Sequence, residues 1–258
     1  MRVDISDILI YMDCPVKYLI KQRTAESKAC SINREFDEAI HKVLLYYYYK
    51  KMNGQEVGIT AMKRRWGELW YTPGTPNDYA LRENRYRDKR RQLELYGVML
   101  IDAFYNNEGH TGAVPLIVNA QSQVQVGKHV VTVNIELVRR AKDKKVELVD
   151  FRIGTVYPKN IVVNRDLSLS AQAKAFRTTF DMEEDRIILS YMHQAGMGAH
   201  DFTVRRTEEH IRKFECIAEM AITGIENEVF YPRYSKDCYT CLYQGMCNAI
   251  RFKKVKKC

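Results

Sequence analysis

An α/β fold is the prediction for this chain, and three observations lead to it. The stretch 131–154, VTVNIELVRRAKDKKVELVDFRIG, holds two alternating runs rich in Val, Ile and Leu, joined by a basic turn at 141–145. Such alternation marks the strands of a half-buried sheet. Before it, 34–52 sets Phe36, Ile40, Leu44, Tyr47 and Tyr48 at helical spacing. After it, a long helical pattern follows Thr207 to about residue 226, so strands in mid-chain are bracketed by helices. At 46% hydrophobic over 258 residues, the chain can bury a sizeable core, as one large domain or a domain with an insertion.

Taken in order, Ser6 can cap a short helix over 7–12, and Pro15 suits the first turn of a second over 15–21, with Cys14 at the junction. A loop is expected at 24–33. The helix 34–52 follows, stopped by Asn53-Gly54, with His41 on the edge of its apolar face and the Tyr46–Tyr49 run read as core and groove lining. A shorter helix, 59–70, ends in the turn-rich TPGTPND. A long helix is expected over 79–106, basic in its first half and apolar in its second. Strands are expected at 116–126, 129–139 and 146–152, with a short run at 161–163; Gly127-Lys128 suits a two-residue hairpin turn. A helix over 168–180, strands at 186–191 and 201–206, and the helix capped by Thr207 complete the pattern. Four segments result: N-terminal helices (1–52), a basic helical insertion (53–108), a core of sheet and helices (109–227), and a cysteine-bearing tail (228–258).

A net charge of +9 points to a polyanionic partner, nucleic acid first and an anionic membrane second. No apolar run reaches the roughly 18 residues a spanning helix needs, no basic amphipathic anchor supports membrane binding, and MRVDISDILIYMDC is not expected to be a signal peptide. Seven cysteines without a secretory signal favour reduced thiols or metal ligation over a disulfide framework.

Each strand of the central pair carries one carboxylate among apolar neighbours, Glu136 in VNIELV and Asp150 in ELVDFR. Burying such a group is costly unless something pairs with it. A divalent cation is one reason to bring two carboxylates together; ion pairs with Arg139 or Arg152 are the plainer alternative. The basic run 82–91 offers Arg85, Arg87, Arg90 and Arg91 to a nucleic-acid backbone, with Tyr86 able to stack on a base; a solvated helix face is the alternative.

Cys238, Cys241 and Cys247 form C-x2-C-x5-C, a metal-site spacing, because a tight turn brings two thiolates to one ion or cluster. Cys14, held at a helix junction, is the best candidate for a fourth ligand; Cys30, Cys216 and Cys258 are the alternatives, with Cys216 falling in an apolar helical pattern and expected in the core. Such a site would tie the two ends of the chain together. Zinc on four thiolates is chemically admissible.

In this order the motifs resemble the PD-(D/E)xK nuclease superfamily, and more closely its RecB/AddB-like iron–sulfur branch, which includes CRISPR-adaptation exonucleases and viral relatives. The resemblance covers most of the chain outside 53–108. Ile5-Ser6 through Cys14-Pro15 and Tyr18 looks like the opening of that branch. His41 falls at the helix-borne histidine, Glu136 at the first acidic position, and Asp150-Phe151-Arg152 with Gly154 at the Asp-Tyr-Lys-x-Gly signature. Gln172 followed by Phe176 resembles Gln-x3-Tyr, and Phe230-Tyr231-Pro232 precedes the cysteines as the cluster segment does. Two positions depart from the pattern: Glu136 stands for Asp, and Arg152 for Lys.

The resemblance implies a restriction-endonuclease-like core, a mixed sheet flanked by helices, and metal-dependent phosphodiester hydrolysis. His41, Glu136, Asp150 and the carbonyl of Phe151 are implied ligands of Mg2+ or Mn2+, and Gln172 would orient substrate or water. A [4Fe-4S] cluster is implied on Cys14, Cys238, Cys241 and Cys247. The implied substrate is DNA, as single strands or duplex ends. Protein partners or a homo-oligomer are compatible with it, and the setting is the cytoplasm of a prokaryotic or virus-infected cell. Arg152 keeps the charge of the lysine it replaces but cannot serve as a base; Lys159 or Lys174 could substitute. The second reading is a degraded nuclease that keeps the fold and works as a nucleic-acid-binding or scaffolding subunit.

Overall fold

A computed structural model describes residues 1–23, 32–70, 84–193 and 198–255. In chain order its elements are β1 (Arg2–Asp4), α1 (Ile5–Asp13), α2 (Pro15–Arg23), α3 (Ile32–Met52), α4 (Ile59–Trp70), α5 (Asn84–Thr111), β2 (Val114–Val126), β3 (His129–Arg140), β4 (Val146–Gly154), α6 (Asn160–Asn164), α7 (Leu167–Phe180), β5 (Arg186–His193), β6 (Ala199–Val204), α8 (Glu208–Glu226), a 3-10 turn (Lys236–Thr240) and α9 (Gln244–Val255). Contacts divide the chain into two units. One comprises Met1–Cys30, Gln123–Val133 and Glu208–Cys258; the other comprises Ser31–Ser122 and Asn134–Thr207.

The larger unit is built on the strand order β3–β4–β5–β6. β3 and β4 are antiparallel, β4 and β5 parallel, β5 and β6 antiparallel, so the sheet is mixed. A parallel pair needs a crossover, and α6 and α7 supply it. In β4, Glu147 through Phe151 are all buried, because helices and neighbouring strands leave that run no solvent face. One core joins Phe36, Ile40 and Tyr48 of α3, Trp66 and Trp70 of α4, Leu100 and Phe104 of α5, and Val149 and Phe151 of β4. The two indoles stack at 5.0 Å with Phe36 edge-on to both. Within the tyrosine run, Tyr47 and Tyr48 are buried while Tyr49 is exposed.

In the smaller unit β1 runs parallel to the start of β3, and the β2–β3 turn carries Gly127 at φ +54°, a left-handed value that glycine adopts without strain. Tyr11 of α1, Tyr18 of α2 and Phe230 form an aromatic cluster, and the Tyr11 hydroxyl donates to the Val229 carbonyl at 2.8 Å.

Several expectations are corrected. Asp4, not Ser6, caps α1: its carboxylate accepts the Ser6 N–H at 2.8 Å, a bond Ser6 could not make to itself. The apolar triplet 161–163 is not a strand but lies in α6; Ile161 and Val162 are exposed, so no sheet face recruits them. Cys216 is exposed rather than core. The buried stripe of α8 runs through Phe214 and Ala218, and a residue two positions from each points away from that stripe. The basic run is helical as far as Val255, in α9, and Arg2–Asp4 forms a strand too short for periodicity to reveal. The expected loop at 24–33 is helical from Ile32; 24–31, the TPGTPND turn and the expected helix start at 79–83 lie outside the described residues.

Candidate active site

The site gathers where β3 and β4 separate. Their paired register runs from Arg140↔Val146 to Leu137↔Val149 and ends there. Beyond it the Phe151 N–H is taken by the side chain of Glu136, whose Oε2 accepts it at 2.9 Å. Buried Ile135 and Leu137 hold Glu136 between them on β3. On α3, buried Ile40, Val43 and Leu44 anchor the helix and leave His41 half-buried at the stripe edge, where Nδ1 meets Glu136 Oε1 at 2.7 Å.

Asp150 is buried on β4. Gln172 donates to its Oδ1 at 2.7 Å, and Arg152 Nε donates to its Oδ2 at 2.8 Å. Gln172 reaches it because α7 presents Ala171, Ala173 and Ala175 as its buried neighbours, small enough for the helix to pack close. Arg152 also donates to Asp166 Oδ2 at 2.5 Å and to Ser168 Oγ at 2.6 Å. Asp166 is at the same time the N-cap of α7, accepting from the Ser168 and Leu169 N–H groups.

Charge and burial set the protonation of this cluster. Burial opposes the His41 imidazolium, but the hydrogen bond and charge of Glu136, with Asp37 and Asp150 beyond, raise its pKa to about 9. Burial pushes the Asp150 carboxyl up, Arg152 pulls it down, and Glu136 pushes it up again. Asp37, four residues before His41 and 3.9 Å from its Nε2, is likewise raised, first by burial, against the pull of His41. For Asp166 burial is outweighed by the bond and charge of Arg152, which hold it below the ordinary range.

The six residues expected at this site fall in two bonded groups, His41 with Glu136 and the Phe151 N–H, and Asp150 with Arg152 and Gln172, which adjoin where Asp150 precedes Phe151 on β4. Sequence reasoning missed Asp37, Asp166 and Ser168. Asp37 had a signal in its i, i+4 spacing from His41; Asp166 had one in its place before a helical run. Arg139 is elsewhere: it donates to Glu147 at 2.7 Å and Glu108 at 3.0 Å, so of the two candidate ion pairs for the strand acids only Arg152 with Asp150 forms.

The donor set suits a hard divalent cation: two carboxylates, a backbone carbonyl and one imidazole. Each carboxylate offers about four lone-pair sites, and the hydrogen bonds above engage two on each. As arranged, no group of three His, Cys, Asp or Glu stands ready to hold a metal ion among the described residues. Ligation by His41 requires it to release the proton that Glu136 stabilises.

In the smaller unit, Cys14, Cys238, Cys241 and Cys247 line one cavity of about 540 Å³ with Lys17, Arg233 and Lys236. None of the four is in a disulfide. Ser235 caps the turn that carries Cys238. Lys17 keeps its charge against burial through Asp13, then Cys241 and Cys14. Cys30 and Cys258 lie outside the described residues.

Of the expected backbone-binding residues, the side chains of Arg85, Tyr86 and Arg87 lie outside the described residues. Arg90 is half-buried, its guanidinium 4.4 Å over the Trp70 ring, donating to the Trp70 carbonyl and 3.4 Å from Glu35. Arg91 is exposed. No helix among the described residues is long and apolar enough to cross a membrane.

A family model described as the PD-(D/E)XK nuclease superfamily matches residues 5–248. Solved structures similar to the chain include that of SSO0001, at 13% identity and a TM-score of 0.42, covering 96% of this chain and 86% of that one. Another is a provisionally assigned exonuclease from Eubacterium rectale, at 10% identity and a TM-score of 0.44, covering 95% and 86%. No curated protein matches in sequence.

Proposed function

Because the chain belongs to the PD-(D/E)XK nuclease superfamily, we propose that it is a metal-dependent deoxyribonuclease of the RecB/AddB-like iron–sulfur branch, acting on single strands or duplex ends. The observation that carries this reading is that two bonded groups, Glu136 with His41 and Asp150 with Arg152 and Gln172, adjoin through Asp150-Phe151 on β4. Nucleic acid is the substrate class of the superfamily, and the net charge of +9 suits it.

Glu136, Asp150, His41 and the Phe151 carbonyl would hold Mg2+ or Mn2+, which when bound makes its water more acidic and offsets phosphate charge. Gln172 fixes the Asp150 carboxylate by its hydrogen bond. Arg152 is a permanent cation and stabilises charge on the scissile phosphate; it takes no proton. Asp166 and Ser168 hold it in place. Lys159 is exposed beside the α6 N-terminus and remains a candidate for the role of the signature lysine, as does Lys174.

The [4Fe-4S] reading rests on the cavity that all four cysteines line. A cavity of about 540 Å³ has room for a cluster or for a single ion, and Lys17 and Arg233 would offset the charge of four thiolates.

One observation favours the degraded-nuclease alternative: Arg152 occupies Asp150 as a built-in countercharge. Cleavage of end-labelled single- and double-stranded DNA with Mn2+ separates the readings. Wild type should cut and Asp150→Ala should not, while both bind DNA; binding without cleavage in Mg2+ and Mn2+ by wild type selects the alternative.

A further inference from the structure

Beyond the carboxylate network, β4 ends against a group of aromatic rings to which none of the roles above is assigned. Arg152 on β4 is in register with Tyr191 on β5, and Tyr191 with His200 on β6. Registered neighbours share a sheet face, so these three stand abreast. The next step along, Gly154, is in register with His193. After β4 the chain folds back and lays Tyr157 over this row, its ring 5.4 Å from Tyr191, 5.6 Å from His193 and 5.9 Å from His200.

The arrangement is built rather than incidental. The Tyr157 hydroxyl donates to the Gly198 carbonyl at 3.3 Å, and the Tyr191 hydroxyl bonds the Val156 backbone. Glycine at 154 leaves room for the Tyr191 ring as placed: a Cβ there would stand 1.7 Å from the Tyr191 hydroxyl and force the side chain to shift. Despite these ties, Tyr157 is 37% exposed and Val156 75% exposed, and His200 is exposed too. Tyr157 and His200 thus leave ring surface open beside the row that begins at Arg152.

We propose that Tyr157, backed by Tyr191, His193 and His200, is a stacking platform for an unpaired base of the nucleic acid whose phosphate Arg152 contacts. The proposal rests on the nuclease reading above and adds the part that recognises the base. Neighbouring strands lie about 4.8 Å apart, so His200, two strands over, is on the order of 10 Å from Arg152, about the span from a phosphate to its own base. Every base has a π-face, so such a platform favours single strands without reading their sequence. A base stacked within a duplex has both faces covered and is excluded, which leaves unstacked bases of single strands and frayed ends.

The test uses the full chain in EDTA, where no cleavage occurs, with single-stranded oligodeoxynucleotides carrying 2-aminopurine or an abasic residue at either end. Tyr157→Ala should weaken binding of the base-bearing strand about tenfold, reduce 2-aminopurine quenching, and leave the abasic strand unaffected. Tyr157→Phe should behave as wild type, and His200→Ala, at an exposed position, should reproduce part of the loss. Equal binding by wild type and both alanine variants overturns the platform alone and leaves the nuclease reading standing. Equal loss on base-bearing and abasic strands also overturns it, since the contact would then be with the backbone or the fold. Wild type that binds neither strand, both in EDTA and with Ca2+ as a metal that fills the site, overturns both.

Discussion

Arg152 donates its Nε–H to Asp150 Oδ2 at 2.8 Å, from two residues further along the same strand. Where the superfamily signature has lysine, this guanidinium spans Asp150 and Asp166, and so would compete with the divalent cation proposed to bind Asp150.

That competition has a measurable sign. Arg152→Ala should tighten Mn2+ binding to the full chain, read by calorimetry, because a cation leaves Asp150. The same change should slow cleavage about 100-fold or more through lost charge stabilisation of the phosphate. Arg152→Lys should keep or raise activity. An alanine variant that binds Mn2+ no tighter and cuts as fast as wild type would remove Arg152 from the site.

Asp166 makes stability depend on pH. Its folded pKa is depressed by Arg152 against burial, so its contribution is fully present above the unfolded value of about 3.9 and is lost as pH falls through the lower folded value. Asp166→Asn keeps a capping residue but removes the charge, and should cost about 1.5–3 kcal/mol at neutral pH. The gap to wild type in thermal midpoint should narrow as pH falls below about 4. A gap of constant size down to acid unfolding would contradict the pairing.

Arg139 is buried between Glu108 and Glu147 at 3.0 and 2.7 Å. Arg139→Ala leaves two buried carboxylates short of a partner and should destabilise by about 3–5 kcal/mol, read from denaturant unfolding. Lys51 and Arg186 also reach these carboxylates, so a loss under about 1 kcal/mol would mean that they carry the network instead.

The adjacent Arg90 and Arg91 of α5 should separate cleanly. Arg90→Glu should lower the thermal midpoint, because Arg90 stacks on Trp70 and pairs with Glu35. Arg91→Glu should leave stability alone and flatten the salt dependence of DNA binding, since each lost phosphate contact reduces counterion release. An unchanged salt slope makes Arg91 part of a solvated face.

Protein purified without oxygen should carry about four irons per chain with labile sulfide, and Cys14→Ser or Cys241→Ser should lose them. Stoichiometric zinc without iron would replace the cluster with a four-thiolate ion.

Local pattern in the chain was enough for most elements. The alternation of β3, the apolar run of β4, the stripe on α3 and the Gly127 turn are all readable because side-chain period follows backbone geometry. It was enough, too, to single out His41, Glu136, Asp150, Arg152 and Gln172, through chemically costly residues standing in apolar surroundings and through their resemblance to a family signature. Pairing was decided elsewhere. Nothing within 161–163 says helix rather than strand until the sheet declines to recruit it, whereas the exposure of Cys216 was legible in the spacing of Ile211, Phe214, Ala218 and Ile222. That Arg139 belongs to Glu108 and Glu147, that Asp166 caps a helix and clamps Arg152 at once, and that Tyr157 lies over a row from three strands are consequences of contacts between residues distant in sequence. Periodicity reports the direction of a side chain relative to its own backbone, whereas partners depend on which strands are neighbours and in what register, and only the folded sheet supplies that.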